Sequence, residues 1–276
     1  MTNLAEVTAF ATALLFGNAA ACLAAESSAI IVEIESPLAS PLPLQGYLRQ
    51  TNSAGPSPAV VLLHGCDGNW EQLDQGWGKR IASWGFVTLT VDSFGPRGIK
   101  TNCGSSAPDG LALDAFRALN FLVREPFVDP DRVAVVGFAQ GGGLVLTSVE
   151  HGAVEQTSPN KFHAAVAFYP PCRKFNGDMT VPTLILIGER DDWTEACRNM
   201  VDGRDDWGLS RQKGKGAPVR LIVYPGAYHA FDVPNLDTST PLPGHRREFN
   251  QSAADQSIVA VREFLDATIG GGEPTR

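Results

Sequence analysis

Six short apolar runs, each bounded by polar or turn residues, limit the folds open to this chain more than any other feature. They are AVVLLHG (59–65), FVTLTVD (86–92), RVAVVGF (132–138), HAAVAFY (163–169), TLILIG (183–188) and VRLIVYP (219–225). Short, mainly apolar runs of this length read as strands with both faces covered, the pattern of a parallel sheet between layers of helices. Ahead of them AIIVEIES (29–36) and LQGYLRQ (44–50) are expected to pair as an opening hairpin. Residues 111–123 and QSIVAVREFLDATI (256–269) carry apolar residues at helical spacing. Strands and helices in this order give a three-layer α/β fold, with a central, mostly parallel sheet, helices on both faces and right-handed crossovers. No repeat, long linker or composition shift divides the chain, so one domain over residues 27–270 is expected.

The N-terminal segment reads differently. Residues 9–25, AFATALLFGNAAACLAA, are uncharged and end in small residues, like the apolar segment and cleavage site of a secretory signal, although Glu6 and no Lys or Arg precedes them. Residues 1–25 are therefore expected to be a signal peptide and the mature protein periplasmic or secreted, a cytoplasmic protein with an N-terminal extension being the alternative. The run is short for a membrane span, no membrane partner is expected of the mature form, and Cys22, preceded by three alanines, is not expected to carry a lipid. Export makes Cys66, Cys103, Cys172 and Cys197 candidates for disulfides. The expected pairs are Cys66 with Cys103 and Cys172 with Cys197, against buried free thiols. A formal net charge of -8, with no clustered Lys and Arg, excludes a nucleic-acid partner.

In α/β sheets ligands collect at the C-terminal ends of the strands. There GFAQGGG (137–143) follows a strand and opens a helix. Its small residues permit the tight turn that lifts a nucleophile above a sheet, as in G-x-S-x-G, but Ala139 stands where the serine belongs. A phosphate-binding glycine loop is the other reading, and it fails because neither G-x-G-x-x-G nor a following Lys-Ser/Thr is present. Downstream, IGERDDWTEAC (187–197) places Asp191 in the loop after a strand, where a triad acid belongs, with Asp192 as its neighbour and a turn or helix cap as the structural alternative. YPGAYHAFD (224–232) then places His229 after the last strand, in the order nucleophile, acid, histidine. LLHGCDG (62–68) is a His-Gly loop after an early strand, so the backbone N–H groups of Cys66 and Gln140 are the expected oxyanion hole. Cys66 precedes the elbow and is expected to be structural rather than nucleophilic.

LLHGCDG, VDSFGPRG, ALDAFRALNFL, VAVVGFAQGG, AVAFYPPC, LILIGERDDWT and VYPGAYHAFD, in this order, resemble the dienelactone hydrolase family of α/β hydrolases. The resemblance implies the α/β-hydrolase fold and a cofactor-free hydrolase of esters or lactones, with Asp191 and His229 as acid and base. Members resembling this sequence carry serine at the elbow, or cysteine in the dienelactone hydrolases proper, whereas Ala139 cannot attack a carbonyl. Two accounts of Ala139 stand side by side: a deliberately silenced serine esterase, and a natural non-catalytic relative that binds a ligand. The retained acid, base and oxyanion loop favour the first. The expected partner is a small-molecule ester, of aryl, alkyl or phthalate type, or a lactone. Phe94, Phe138, Tyr169 and Trp193 are candidates for an aromatic pocket wall, with core packing as the alternative for each. Arg97 is expected to fix its loop or to hold an acidic substrate group. No metal is expected, since no two histidines stand at ligand spacing. The loop FDVPNLDTSTPLPGHRREF (231–249) is expected to be a lid or a brace for the last helix. The sequence carries no signal of oligomeric state.

Overall fold

Valine, leucine, isoleucine and alanine fill the runs read above as strands; those of the five runs between residues 59 and 188 are buried, whereas those of 219–223 are half-buried and Ile30 and Ile31 are exposed. Each fully buried Val, Leu or Ile contributes about 1.5–3 kcal/mol relative to exposure, so these runs supply most of the drive to collapse. The computed structural model describes residues 28–35, 44–105, 110–204, 215–236 and 245–270; the segment read as a signal peptide lies outside them. The strands are β1 (Ile30–Ile34), β2 (Leu44–Arg49), β3 (Ser57–Leu63), β4 (Val87–Asp92), β5 (Val128–Phe138), β6 (Ala164–Phe168), β7 (Thr183–Gly188) and β8 (Val219–Tyr224). They form one sheet in the order β1-β2-β4-β3-β5-β6-β7-β8. The first two pair antiparallel, Ile30 opposite Leu48, as the hairpin expectation required, and β2 is antiparallel to β4. All remaining pairs are parallel.

The helices are α1 (Trp70–Leu73), α2 (Lys79–Ser83), α3 (Leu111–Leu122), α4 (Gln140–Val149), α5 (Thr194–Val201) and α6 (Gln251–Thr268). The last begins five residues before the expected 256. The Asn250 side chain accepts a hydrogen bond from the Ala253 N–H at 3.0 Å, and this N-cap starts the helix where the apolar periodicity has not yet begun. Among the described residues no helix is long and apolar enough to cross a membrane.

Between α1 and α2 runs a π-helical turn, Asp74–Gly78. Its Asp74 is almost fully buried and takes a forked pair of bonds from Arg49, at 3.1 Å from Nε and 2.6 Å from Nη2. Thr90 donates to the same carboxylate at 3.3 Å. A buried ion pair fixes geometry more than it stabilises, because desolvation offsets most of the attraction. Here it fixes the turn that carries Trp77 to the active end of the sheet.

Candidate active site

A sharp turn joins β5 to α4. Ala139 sits there at φ 50° and ψ -112°, a conformation that L-residues avoid. The turn is possible because α4 lies against the end of β3 without side chains between them. A Cβ on Gly141 would meet the carbonyl oxygens of Leu63 and, at 2.5 Å, His64, backbone atoms that cannot rotate away. The Ala139 N–H donates to Phe168 O at 3.0 Å, tying the turn to the end of β6.

The other end of the constellation depends on a second close approach. A Cβ on Gly188, the last residue of β7, would meet the carbonyl oxygens of Ala227 and, at 2.8 Å, Tyr228, so the loops after β7 and β8 can touch only with glycine there. This contact delivers Asp191 to His229. Their Oδ2 and Nδ1 are 2.7 Å apart, and both residues are buried, at 6% and 1% exposure. The other Asp191 oxygen accepts the Trp193 N–H at 3.0 Å. Asp192, with a side chain 56% exposed, meets His245 instead, its Oδ2 3.2 Å from His245 Nδ1.

Ala139 and His229 face a common cavity of about 620 Å³, lined on its apolar side by Leu73, Trp77, Phe138, Tyr169, Leu236 and Ile258 among others. Three non-glycine residues of the described chain have positive φ: Ala139, Tyr169 at 36° and Ala230 at 55°. All three line this cavity. Strained backbone costs about 1–3 kcal/mol per residue and gathers at functional sites, so its confinement to one cavity singles this cavity out.

The expected oxyanion donors flank the elbow. Gly65 approaches so closely that a Cβ on it would lie 3.6 Å from that of Ala139, which brings the following Cys66 amide to the turn. The Gln140 N–H is the first of α4 and has no intrahelical acceptor. The Cys66 loop is held from outside by Asn102 N–H and Thr101 Oγ1, which donate to Cys66 O, and by the disulfide to Cys103. Cys172 and Cys197 form the second disulfide. Both expected pairs are thus present.

The aromatic wall is partly corrected. Phe138 and Tyr169 line the cavity, whereas Phe94 and Trp193 do not. Phe94 is fully buried behind His64, ring edge to ring face at 4.6 Å, where the loop after β4 folds under the His-Gly loop. Trp193 stands edge-on to His229 at 5.2 Å and to His245 at 4.3 Å, bracing the histidines from behind. Arg97 fixes its loop: it grips Asp114 with two bonds, at 2.8 and 3.0 Å, and Ser93 O at 2.6 Å. Val233, Leu236, Arg247 and Phe249 of the loop after His229 border the cavity, while residues 237–244 lie outside the described residues.

Four polar residues of the site have no role in the motifs read above. Trp77 Nε1 and Tyr169 Oη both donate to Asp232, at 2.7 and 2.8 Å, joining three walls of the cavity through one carboxylate. Burial raises the Asp232 carboxyl, a shift opposed by these two bonds, and burial beside Asp232 holds the Tyr169 hydroxyl well above its ordinary range. Trp77 and Asp232 are 155 residues apart, so no local pattern announces the pair. The third is His245. Histidines 229 and 245 have no ligand spacing in sequence, yet their rings lie 4.8 Å apart because the loop after β8 returns to its start, Glu248 N–H donating to His229 O. Burial lowers the His245 imidazole, and the neighbouring His229 adds to the shift.

The fourth is His64. Its Nδ1 lies 2.7 Å from Gly65 O and its Nε2 accepts the Ser93 N–H at 3.2 Å, a pattern that fits a neutral ring protonated on Nδ1. Burial accordingly lowers its pKa below the ordinary 6.5. In the unfolded chain the ring takes up a proton near that value, which the folded ring refuses, so its contribution to stability is full above 6.5 and is lost as pH falls toward the folded value. His245 acts in the same direction and Asp232 opposes it. The unfolding free energy of the chain should therefore fall more steeply between about pH 7.5 and about pH 5.5 than that of a His64→Gln variant, by at most about 1.4 kcal/mol per pH unit. Urea unfolding at the two pH values measures this; parallel slopes would remove His64 as the cause.

The model of the dienelactone hydrolase family matches residues 44–269. A lipase of Moraxella sp. (strain TA144) is 29% identical over 149 residues, which cover 52% of this chain and 42% of the lipase. A cutinase of Thermobifida alba is 31% identical over 153 residues, covering 52% and 44%. The matched stretch thus spans less than half the length of either relative. Among solved structures, a dienelactone hydrolase-like promiscuous phosphotriesterase from metagenomic libraries superposes with a TM-score of 0.66 at 20% identity, covering 88% of this chain and all of that one. A putative dienelactone hydrolase from Klebsiella pneumoniae gives 0.63 at 19% identity, covering 86% and 98%. These structures establish the α/β-hydrolase fold.

Proposed function

The chain belongs to the dienelactone hydrolase family, and from that premise we propose that it is the nucleophile-to-alanine form of a serine-type carboxylic ester hydrolase. The observation that carries the reading is the Asp191–His229 pair at 2.7 Å, whose histidine shares a cavity with a residue 139 held in a strained elbow conformation. In the parent enzyme a hydroxyl on the Cβ of residue 139 loses its proton to Nε2 of His229 as its oxygen attacks the ester carbonyl. Asp191 accepts the Nδ1 proton in a hydrogen bond, which fixes the tautomer and stabilises the imidazolium. The amides of Cys66 and Gln140 meet the negative oxygen, each worth about 3 kcal/mol in the transition state. His229 returns the proton to the leaving alcohol, and water, activated by the same imidazole, then releases the acid.

The cavity supports esters with a bulky apolar group, of aryl, alkyl or phthalate type, because one side of its lining is apolar and aromatic and Asp232, buried in its wall, is already satisfied by Trp77 and Tyr169. A lactone would follow the same steps with the leaving alcohol still tethered. A binding protein without turnover is the second reading, favoured by Ala139 itself. Strain weighs against it, since a protein with no use for a side chain at this elbow loses nothing by placing glycine there. Action outside the cytoplasm is part of the proposal, supported by the two disulfides.

Labelling with a fluorophosphonate tests the reading. The Ala139→Ser variant should gain one phosphonyl group by intact mass and hydrolyse members of a panel of aryl esters, lactones and phthalate diesters, while the unchanged chain should take no label. A folded variant that neither labels nor hydrolyses any of them would sink the hydrolase reading in favour of the binding protein.

A further inference from the structure

Metal-binding atoms converge behind the site. One ligand atom each from Asp191, His229 and His245 lies within 4.8 Å of the others. The His245 side chain is only 8% exposed, and its Nδ1 has no hydrogen-bond partner among the described residues. That nitrogen stands 3.8 Å from Asp191 Oδ1 and 3.2 Å from Asp192 Oδ2. A buried polar atom without a partner costs about 1–3 kcal/mol and calls for a reason. Trp193 and His229 hold the ring where its Nδ1 faces both carboxylates at contact distance and is aligned for a hydrogen bond with neither.

We propose that Asp191, His229 and His245, with Asp192 as fourth ligand, bind a divalent transition ion of the Zn²⁺ class, and that the bound ion switches off the general base. Two imidazoles with two carboxylates suit Zn²⁺ or Co²⁺, whereas Ca²⁺ and Mg²⁺ take oxygen ligands. Bonds of about 2.0–2.2 Å put the donors of a tetrahedral ion about 3.3 Å apart. The 2.7 Å between Asp191 and His229 must open a little, and the gaps of up to 4.8 Å among Asp191, His229 and His245 must close. Rotation of His245 and Asp192 brings their donors inward, and the half-exposed Asp192 gives the ion a route from solvent.

The consequence follows from which nitrogen is bound. An ion on Nδ1 of His229 takes the lone pair of the atom that now donates to Asp191, so the ring proton moves through solvent to Nε2 and none is lost. Nε2 is the atom that must be free to accept the nucleophile's proton, and Asp191 is drawn to the metal as well. The loss of activity rests on the hydrolase reading above; the binding does not.

Calorimetric titration of Zn²⁺ into the chelator-stripped chain, with Ala139 in place, decides the binding, and the d–d absorption of Co²⁺ reports its geometry. One saturable ion per chain is expected, with tetrahedral Co²⁺ absorption and an affinity about ten-fold or more weaker in His245→Gln. No saturable binding overturns the site. So does binding untouched by His245→Gln and lost in His151→Ala, which would place the ion at the exposed His151–Asp178 pair. If His245→Gln fails to fold, Asp192→Asn is read instead, and an unchanged affinity there overturns the four-ligand set. In an active Ala139→Ser variant, Zn²⁺ should inhibit hydrolysis reversibly with chelator, and occupation without inhibition overturns the switch. An inactive variant would count against the hydrolase reading and leave the calorimetric result standing.

Discussion

A single hydroxyl at position 139 is expected to raise the hydrolysis of a short-chain aryl ester by about 10⁴- to 10⁶-fold, the range lost when one member of a triad is removed. The magnitude follows from what is already in place. Asp191 and His229 are already paired beside a formed cavity, and on the proposed reading a triad without its nucleophile still accelerates hydrolysis over water by about 10³–10⁴ through binding and the oxyanion hole alone. Covalent catalysis is the missing part. Serine adds one oxygen to a Cβ that the elbow already directs into the cavity, and it inherits the φ of 50° at no cost beyond what alanine bears. Initial rates of the chain and of Ala139→Ser, each with and without His229→Ala, measure the gain. The histidine change should remove most of it, because without a base the hydroxyl is no better a nucleophile than water. A rise below about ten-fold in a folded variant would mean that the geometry around residue 139 does not form a working triad.

What the sequence could show of this protein divides by distance along the chain. The strands were legible because burial on both faces leaves a purely apolar run, and the elbow because its glycines must stand next to the residue they serve. The order of Ala139, Asp191 and His229 was legible because each follows a strand, and strands announce themselves. Long-range contacts leave no such local trace. Phe94 and Trp193 stand beside catalytic motifs in sequence and face away from the cavity in space, because a residue's position in a loop does not fix the direction of its side chain. Trp77 and Asp232 meet across the sheet, and His245 reaches His229 only because its loop doubles back. The cysteine pairs lie between these cases. All four cysteines follow strands at one end of a sheet, so topology alone gathers them, and the structure joins the two expected pairs.

The two adjacent aspartates that sequence order could not separate should separate by kinetics. In the Ala139→Ser background, Asp191→Asn is expected to lower kcat by about 10⁴-fold with little change in KM. The reason lies in how the side chain is held. One Asp191 oxygen accepts the Trp193 N–H, and an asparagine must keep its own oxygen there, because its NH₂ cannot accept. The NH₂ then takes the place opposite His229 Nδ1, where the carboxylate now accepts at 2.7 Å. Facing a donor, the imidazole presents its Nδ1 lone pair and carries its proton on Nε2, the tautomer that cannot take a proton from the nucleophile. KM is spared because Asp191 lies behind His229 and not on the cavity wall. Asp192→Asn alters a side chain 56% exposed, whose ion pair with His245 is worth at most about 1 kcal/mol, or about five-fold in rate. Equal losses from the two changes would assign the acid's role to the pair, acting on His229 through His245, and not to the buried carboxylate alone.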